Sequence, residues 1–131
     1  MIYTVQAQSA IAAAIKAAKE FKHPYVGTEH LLLGLLRTRT GVAAQVMAEN
    51  GVNEENMTKV IRELLSVSVE TVSASTPEIS PRLDYILDLS KEEAYHLRSE
   101  KIGTEHMLLA IIRENECAAA KILQTLGSIL Q

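Results

Sequence analysis

The feature that most constrains this chain is a ten-residue stretch that occurs twice. Gly27-Thr28-Glu29-His30-Leu31-Leu32-Leu33-Gly34-Leu35-Leu36 returns as Gly103-Thr104-Glu105-His106-Met107-Leu108-Leu109-Ala110-Ile111-Ile112, a shift of 103 − 27 = 76 residues. The Gly-Thr-Glu-His quartet is kept, and the apolar positions change only to similar residues. From Val26 to Met47 against Ile102 to Leu123, nine of 22 positions are identical. Self-similarity at a fixed offset means two copies of one supersecondary unit. The offset is too long for a stack of short helical repeats, so the reading is one duplication inside one domain spanning 1–131.

The periodicity around the motif is helical. Ala7, Ala10, Ile11, Ala14, Ala18 and Phe21 recur at three- and four-residue steps, with Thr4 as N-cap. Adding 76 gives Leu83, Ile86, Leu87, Ser90, Ala94 and Leu97, with Ser80 as N-cap and Pro81 at the first helical position, where its missing N–H costs nothing. Thr28 and Thr104 read as N-caps of the motif helices, which are apolar nearly all round and belong in the core. Gly34, matched by Ala110, would let another helix approach closely, and Arg37 and Arg113 suit a helix C-terminus. A short helix follows from Val42 to about Asn50, with its counterpart from Ala118 to about Leu126, each closed by a glycine, Gly51 or Gly127. In the first copy a fourth helix has Asn53 as cap, Glu54 and Glu55 in its first turn, and Met57, Val60, Ile61, Leu64 and Leu65 turned inward.

The expected fold is therefore all-α, with no paired strands: repeat 1 at 1–65, a linker at 66–79, repeat 2 at 80–131, about four helices each. Position 53 + 76 = 129 leaves the second copy too short for its fourth helix. A fragment of a longer polypeptide is the favoured reading, and a domain with three helices in its second half is the other. Ser66 to Ile79 is rich in Ser, Thr and Val, but a lone strand there would have no partner, so it reads as a linker.

A formal charge of −3 gives no broad basic face, which argues against nucleic acid. One cysteine, Cys117, excludes an internal disulfide and suits a reducing compartment. Its alanine neighbours suggest a small residue in a packed turn, and no His or Lys lies beside it to make a reactive thiol. No signal-peptide pattern opens the chain, and the densest apolar run is too short to cross a bilayer, so a cytoplasmic protein is expected. With few aromatics to anchor a large interface, the domain should be a monomer.

Glu29-His30 and Glu105-His106 are the residues that chemistry would use. Adjacent Glu and His on a helix point about 100° apart, unlike the Glu-x-x-His spacing of di-metal sites, so no metal is expected. No nucleophile–base arrangement and no phosphate loop can be read, so the chain should be neither hydrolase nor ATPase, and no cofactor is implied. Glu29 and Glu105 could simply complement the helix dipole, and His30 and His106 could be core histidines with backbone partners. Duplication of the whole quartet is what raises a shared binding role.

The pattern Tyr3-Thr4, Ala7-Gln8, Gly27-Thr28-Glu29-His30-Leu31-Leu32-Leu33-Gly34-Leu35, Ala43-Ala44 and Gly51-Val52, echoed in Ser80-Pro81-Arg82, Gly103-Thr104-Glu105-His106, Ala118-Ala119-Ala120 and Leu126-Gly127, resembles the Clp N-terminal repeat domain. It is most similar to the N-domain of ClpC-type AAA+ unfoldases. The resemblance implies two pseudo-twofold-related four-helix repeats, and a recognition module ahead of ATPase rings that feed a Clp peptidase. It implies adaptor and substrate proteins as partners, some of them arginine-phosphorylated, bound at two equivalent pockets whose glutamates fall on Glu29 and Glu105. Thr4, Ser80, Arg82, Thr28 and Thr104 complete the candidate ligand-binding set. The family's usual Glu-Arg or Pro-Arg after the capping residue is kept as Pro81-Arg82 but replaced by Val5-Gln6. Grouping Ser80 and Arg82 with Glu105, and Thr4 and Gln6 with Glu29, makes the Glu29 pocket the weaker. A free-standing Clp-repeat adaptor or decoy, never joined to an ATPase, is the rival reading.

Overall fold

The computed structural model describes residues 1–65 and 76–130, with the backbone alone at 65, 129 and 130. Four helices form the first half: α1 (Val5–Glu20), α2 (Thr28–Arg37), α3 (Val42–Glu49) and α4 (Glu54–Leu65). Three form the second: α5 (Pro81–His96), α6 (Thr104–Arg113) and α7 (Ala118–Leu130). Thr4 and Ser80 cap as their sequence context predicts, accepting from Ala7 N–H at 3.0 Å and Leu83 N–H at 3.1 Å. Asn53 caps α4, accepting from Asn56 N–H at 2.8 Å.

The core forms where the apolar stripes meet. Leu31, Leu32, Leu33 and Leu35 of α2 are fully buried, as are Met107 and Ile111 of α6. The face of α1 is all alanine, Ala7, Ala10, Ala14, Ala17 and Ala18, and it lies directly on α2. A Cβ on Gly34 would collide with the Ala10 carbonyl oxygen, so this crossing needs glycine. The second copy spaces the same crossing with larger side chains, Leu83 and Ile86 against a motif helix that carries Ala110.

Four two-residue strands correct the expectation of a chain without paired strands. β1 (Ile2–Tyr3) runs parallel to β4 (Lys101–Ile102), and β2 (Tyr25–Val26) runs parallel to β3 (Glu78–Ile79). Residues 78–79 are thus not linker, because the partner that a lone strand would lack is supplied by repeat 1. Residues 66–75 of the expected linker lie outside the described residues. Each pairing joins one repeat to the other and continues into a cap: Thr4 N–H donates to Ile102 O, and Ser80 N–H to Val26 O, both at 2.9 Å.

Thr28 and Thr104 are not the N-caps of α2 and α6, because Gly27 and Gly103 hold those positions. Their hydroxyls cap the opposite repeat: Thr28 Oγ1 accepts from Ala119 N–H of α7 at 3.0 Å, and Thr104 Oγ1 from Ala43 N–H of α3 at 3.2 Å. The two bonds are equivalents at the 76-residue offset. Gly41, the N-cap of α3, has no side chain to do this work, and a Cβ there would press on the Thr104 hydroxyl.

Two further readings are corrected. Gly127 does not end its helix, since α7 runs through it to Leu130, whereas Gly51 takes φ 82° and closes α3. A glycine with φ < 0 simply continues the helix; only the left-handed conformation stops it. Leu64 of α4 is exposed while Met57, Val60 and Ile61 are buried, because the helix has only one covered stripe. Turns after α1 and α5 use non-glycine residues at positive φ, Lys22 at 59° and Arg98 at 56°, again equivalents.

Buried Thr→Val changes test the exchanged caps, since valine keeps the shape and removes the acceptor. Thr28→Val and Thr104→Val should each lower unfolding free energy by about 1–3 kcal/mol in urea titrations, the cost of an unsatisfied buried N–H, while Thr→Ser at either position keeps most of it. Valine variants as stable as the parent would contradict the assignment.

Candidate functional site

Each motif helix begins with the same small construction. Gly27 N–H donates to His30 Nδ1 at 2.8 Å, and Gly103 N–H to His106 Nδ1 at 2.8 Å. Both histidines are buried, with the backbone partner that a core histidine needs. Over each glycine folds the neighbouring carboxylate: a Cβ at Gly27 would collide with Glu29 Oε1, and one at Gly103 with Glu105 Oε1. Glycine here leaves room for a half-buried carboxylate to lie back over the helix start. Burial pushes the Glu29 carboxyl above the usual range, against a smaller opposing effect from the hydrogen bond with its own backbone N–H.

The strand pairings decide which helix start faces which carboxylate. Parallel pairing of β2 with β3 starts α2 and α5 side by side, so Glu29 belongs with Ser80 and Arg82. Pairing of β1 with β4 starts α6 beside α1, so Glu105 belongs with Thr4 and Gln6. The grouping by repeat is therefore corrected: each carboxylate meets the helix start of the opposite repeat. Arg82 is half exposed and reaches Glu114 Oε1 at 3.7 Å, a contact loose enough to release at little cost. Thr28 and Thr104 lie beneath the two sites, buried, with their hydroxyls committed to Ala119 and Ala43.

One residue here was not singled out from sequence. His23 Nδ1 lies 2.8 Å from His30 Nε2, and its ring stacks on Phe21 with centroids 5.3 Å apart. The second repeat has Ser99 at the equivalent position, so the duplication that marked the other residues carried no signal for this one. Donor atoms of His23, Glu29 and His30 lie within 4.8 Å of one another, which raises the question of a metal. The donor set does not fit one. Because Nδ1 of His30 accepts an amide N–H, its Nε2 carries the proton and points it at His23, whereas a metal-bound histidine donates from its other nitrogen. The arrangement is a hydrogen-bond relay that keeps both rings neutral.

Burial, then the adjacent His23, depress the His30 imidazole to about 3. Burial lowers His23 as well. A depressed histidine contributes stability that is present above the unfolded value near 6.5 and is lost as pH falls through the folded one. Unfolding free energy should therefore fall steeply between about pH 6.5 and pH 3, by up to ~4–5 kcal/mol from His30. His30→Asn keeps an acceptor for Gly27 N–H and should flatten that slope in urea titrations across the range. An unchanged slope would contradict the neutral relay.

Residues 2–126 match the Clp repeat (R) N-terminal domain. The chain is 38% identical over 125 residues to the Bacillus subtilis protein described as negative regulator of genetic competence ClpC/MecB, covering 95% of this chain and 15% of that one. It is 36% identical over 126 residues to chloroplastic chaperone protein ClpC of Pisum sativum, covering 96% of this chain and 14% of that one. The chain thus spans about 15% of the length of such relatives. In fold it is similar to the N-terminal domain of ClpD from Arabidopsis thaliana, with TM-score 0.79 and 21% identity over 98% of this chain and 91% of that one. It is also similar to a ClpV N-domain in complex with a VipB peptide, with TM-score 0.75 and 20% identity over 98% of this chain and 79% of that one. The doubled helical unit, the paired Gly-Thr-Glu-His helix starts and these matches agree: the chain belongs to the Clp repeat N-terminal domain family.

Proposed function

We infer that this chain is a protein-recognition module, without catalysis of its own, that works at the front of a ClpC-like unfoldase and delivers adaptors and substrates toward a Clp peptidase. Its two sites take arginine-phosphorylated segments. What carries the reading is the half-buried carboxylate folded over a glycine at the start of each motif helix, beside a second helix start. A carboxylate takes a guanidinium through paired, charge-assisted N–H bonds that a lysine ammonium cannot match. The phosphoryl group carried by that guanidinium needs positive potential close by, which the adjoining helix N-terminus supplies. The solved complex of a ClpV N-domain with a VipB peptide supports peptide binding by this fold in general.

Energetics separate this role from simple support of the helix dipole. A first-turn carboxylate is worth roughly 0.3–1 kcal/mol to its helix. For Glu29 that gain is outweighed, since burial raises its carboxyl: neutralising it favours the fold.

The two sites differ in charge. Ser80 and Arg82 flank Glu29, whereas Thr4 and Gln6 flank Glu105. A hydrogen bond to a charged partner contributes about 1.5–3 kcal/mol, less for a half-exposed arginine, so the Glu29 site should be tighter by roughly three- to tenfold. Calorimetry with free phosphoarginine should resolve two classes of site. Glu29→Gln should remove the tighter one while leaving stability at neutral pH equal or higher, and Glu105→Gln should remove the weaker one. As pH falls, the Glu29 site should weaken, because burial raises its carboxyl and the guanidinium needs the ionised form. No heat with the parent protein would sink the ligand, and tighter binding at Glu105 would sink the ordering.

A further inference from the structure

We propose that His106 is a ligand-binding residue of the Glu105 site, its Nε2–H donating to a phosphoryl oxygen carried by the bound guanidinium. This role rests on the reading of that site as a receiver of phosphoarginine, and it adds a donor that the first repeat keeps closed. The backbone fixes the tautomer. Nδ1 of His106 accepts from Gly103 N–H at 2.8 Å, so the ring carries its proton on Nε2. His30 is built the same way, and there His23 Nδ1 lies 2.8 Å from Nε2 and accepts its N–H.

The second repeat has no such acceptor. Position 23 + 76 = 99 is Ser99, whose hydroxyl turns into its own loop and donates to Lys101 O at 2.6 Å. Among the described residues His106 makes its one hydrogen bond through Nδ1, yet no buried side-chain nitrogen or oxygen lacks a partner. Both statements hold only if Nε2 reaches the surface, although the residue as a whole is 4% exposed. The opening of this nearly buried ring is therefore at its polar N–H. In the free protein solvent satisfies such a group, and a ligand oxygen that takes its place keeps the hydrogen bond.

Position identifies the acceptor. His106 follows Glu105 directly, and in the equivalent construction a ring nitrogen of His30 lies within 4.8 Å of a Glu29 carboxylate oxygen. The phosphoryl group of phosphoarginine is bonded to the guanidinium itself, so a guanidinium held by Glu105 brings phosphoryl oxygens within reach of a donor at that spacing. Plain arginine offers the donor nothing, because a guanidinium has no acceptor. His106 thus selects for the phosphorylated side chain at the site that has Gln6 where the other has Arg82. An uncharged donor contributes less than a charged one, so the Glu29 site remains the tighter.

Correlations from the ring C–H protons to the imidazole nitrogens of the ¹⁵N-labelled protein test this during titration with phosphoarginine and, separately, with arginine. His106 Nε2 should shift with phosphoarginine and stay still with arginine, while His30 Nε2, occupied by His23, moves far less. In the Glu29→Gln background, Ser99→His supplies the second ring that closes the donor, and it should weaken phosphoarginine by roughly threefold to tenfold in calorimetry. The reciprocal change His23→Ser opens His30 and should give its Nε2 the response that His106 Nε2 shows in the parent. No heat with phosphoarginine sinks the ligand, and this donor with it. Heat with a motionless His106 Nε2, an equal shift with arginine, undiminished affinity in Ser99→His or an unresponsive His30 in His23→Ser overturns the donor alone and leaves the carboxylate reading standing.

Discussion

The two halves of this protein are held together by an exchange of backbone caps. Thr28 of the first repeat supplies the acceptor that the start of α7 lacks, and Thr104 of the second supplies the one that the start of α3 lacks. Helix starts leave N–H groups without intrahelical partners, and a buried start with no acceptor is costly. Glycine at position 41 cannot provide one, so α3 is completed only when the other repeat is folded against it. The strands extend the same exchange: Thr4 and Ser80, caps of α1 and α5, are each fixed by a carbonyl of the opposite repeat. Cooperativity of the whole domain follows, because neither half satisfies its own backbone.

That exchange also builds the sites. A carboxylate from one repeat and a helix start from the other come together only because parallel pairing brings α2 beside α5 and α6 beside α1. The site is thus a property of the interface between repeats, and its two versions differ in their flanking residues. One carries an arginine at position 82 and a histidine relay behind its carboxylate; the other has Gln6, and Ser99 where the relay would be. Duplication supplied two frameworks, and substitution of a few flanking residues made them unequal.

Much of this was legible in the sequence because it is periodic or repeated. Alanine spacing in α1, the apolar motif helices, the Thr4 and Ser80 caps and the glycine demanded by close packing at Gly34 all leave local patterns. What was not legible is nonlocal. Two-residue strands have no period, so Glu78–Ile79 looked like linker until Tyr25–Val26 supplied a partner. The hydroxyls of Thr28 and Thr104 looked like local caps because a threonine before an apolar run usually is one; the acceptors instead serve helices 61 and 91 residues away in the chain. Gly51 and Gly127 carry the same letter, yet only Gly51 turns left-handed. Grouping the candidate residues by repeat failed for the same reason: sequence shows which residues are equivalent, not which equivalents meet.

The composite site is the central claim, and the residual phosphoarginine binding of Glu29→Gln tests it most directly by calorimetry. In that background only the Glu105 site remains, so adding Arg82→Glu should leave the residual affinity unchanged. Adding Gln6→Glu should weaken it by roughly tenfold or more, since it sets a second carboxylate beside the phosphoryl group. The reverse result, with position 82 controlling the remaining site and position 6 silent, would mean that each carboxylate works with its own repeat, and the account would be wrong.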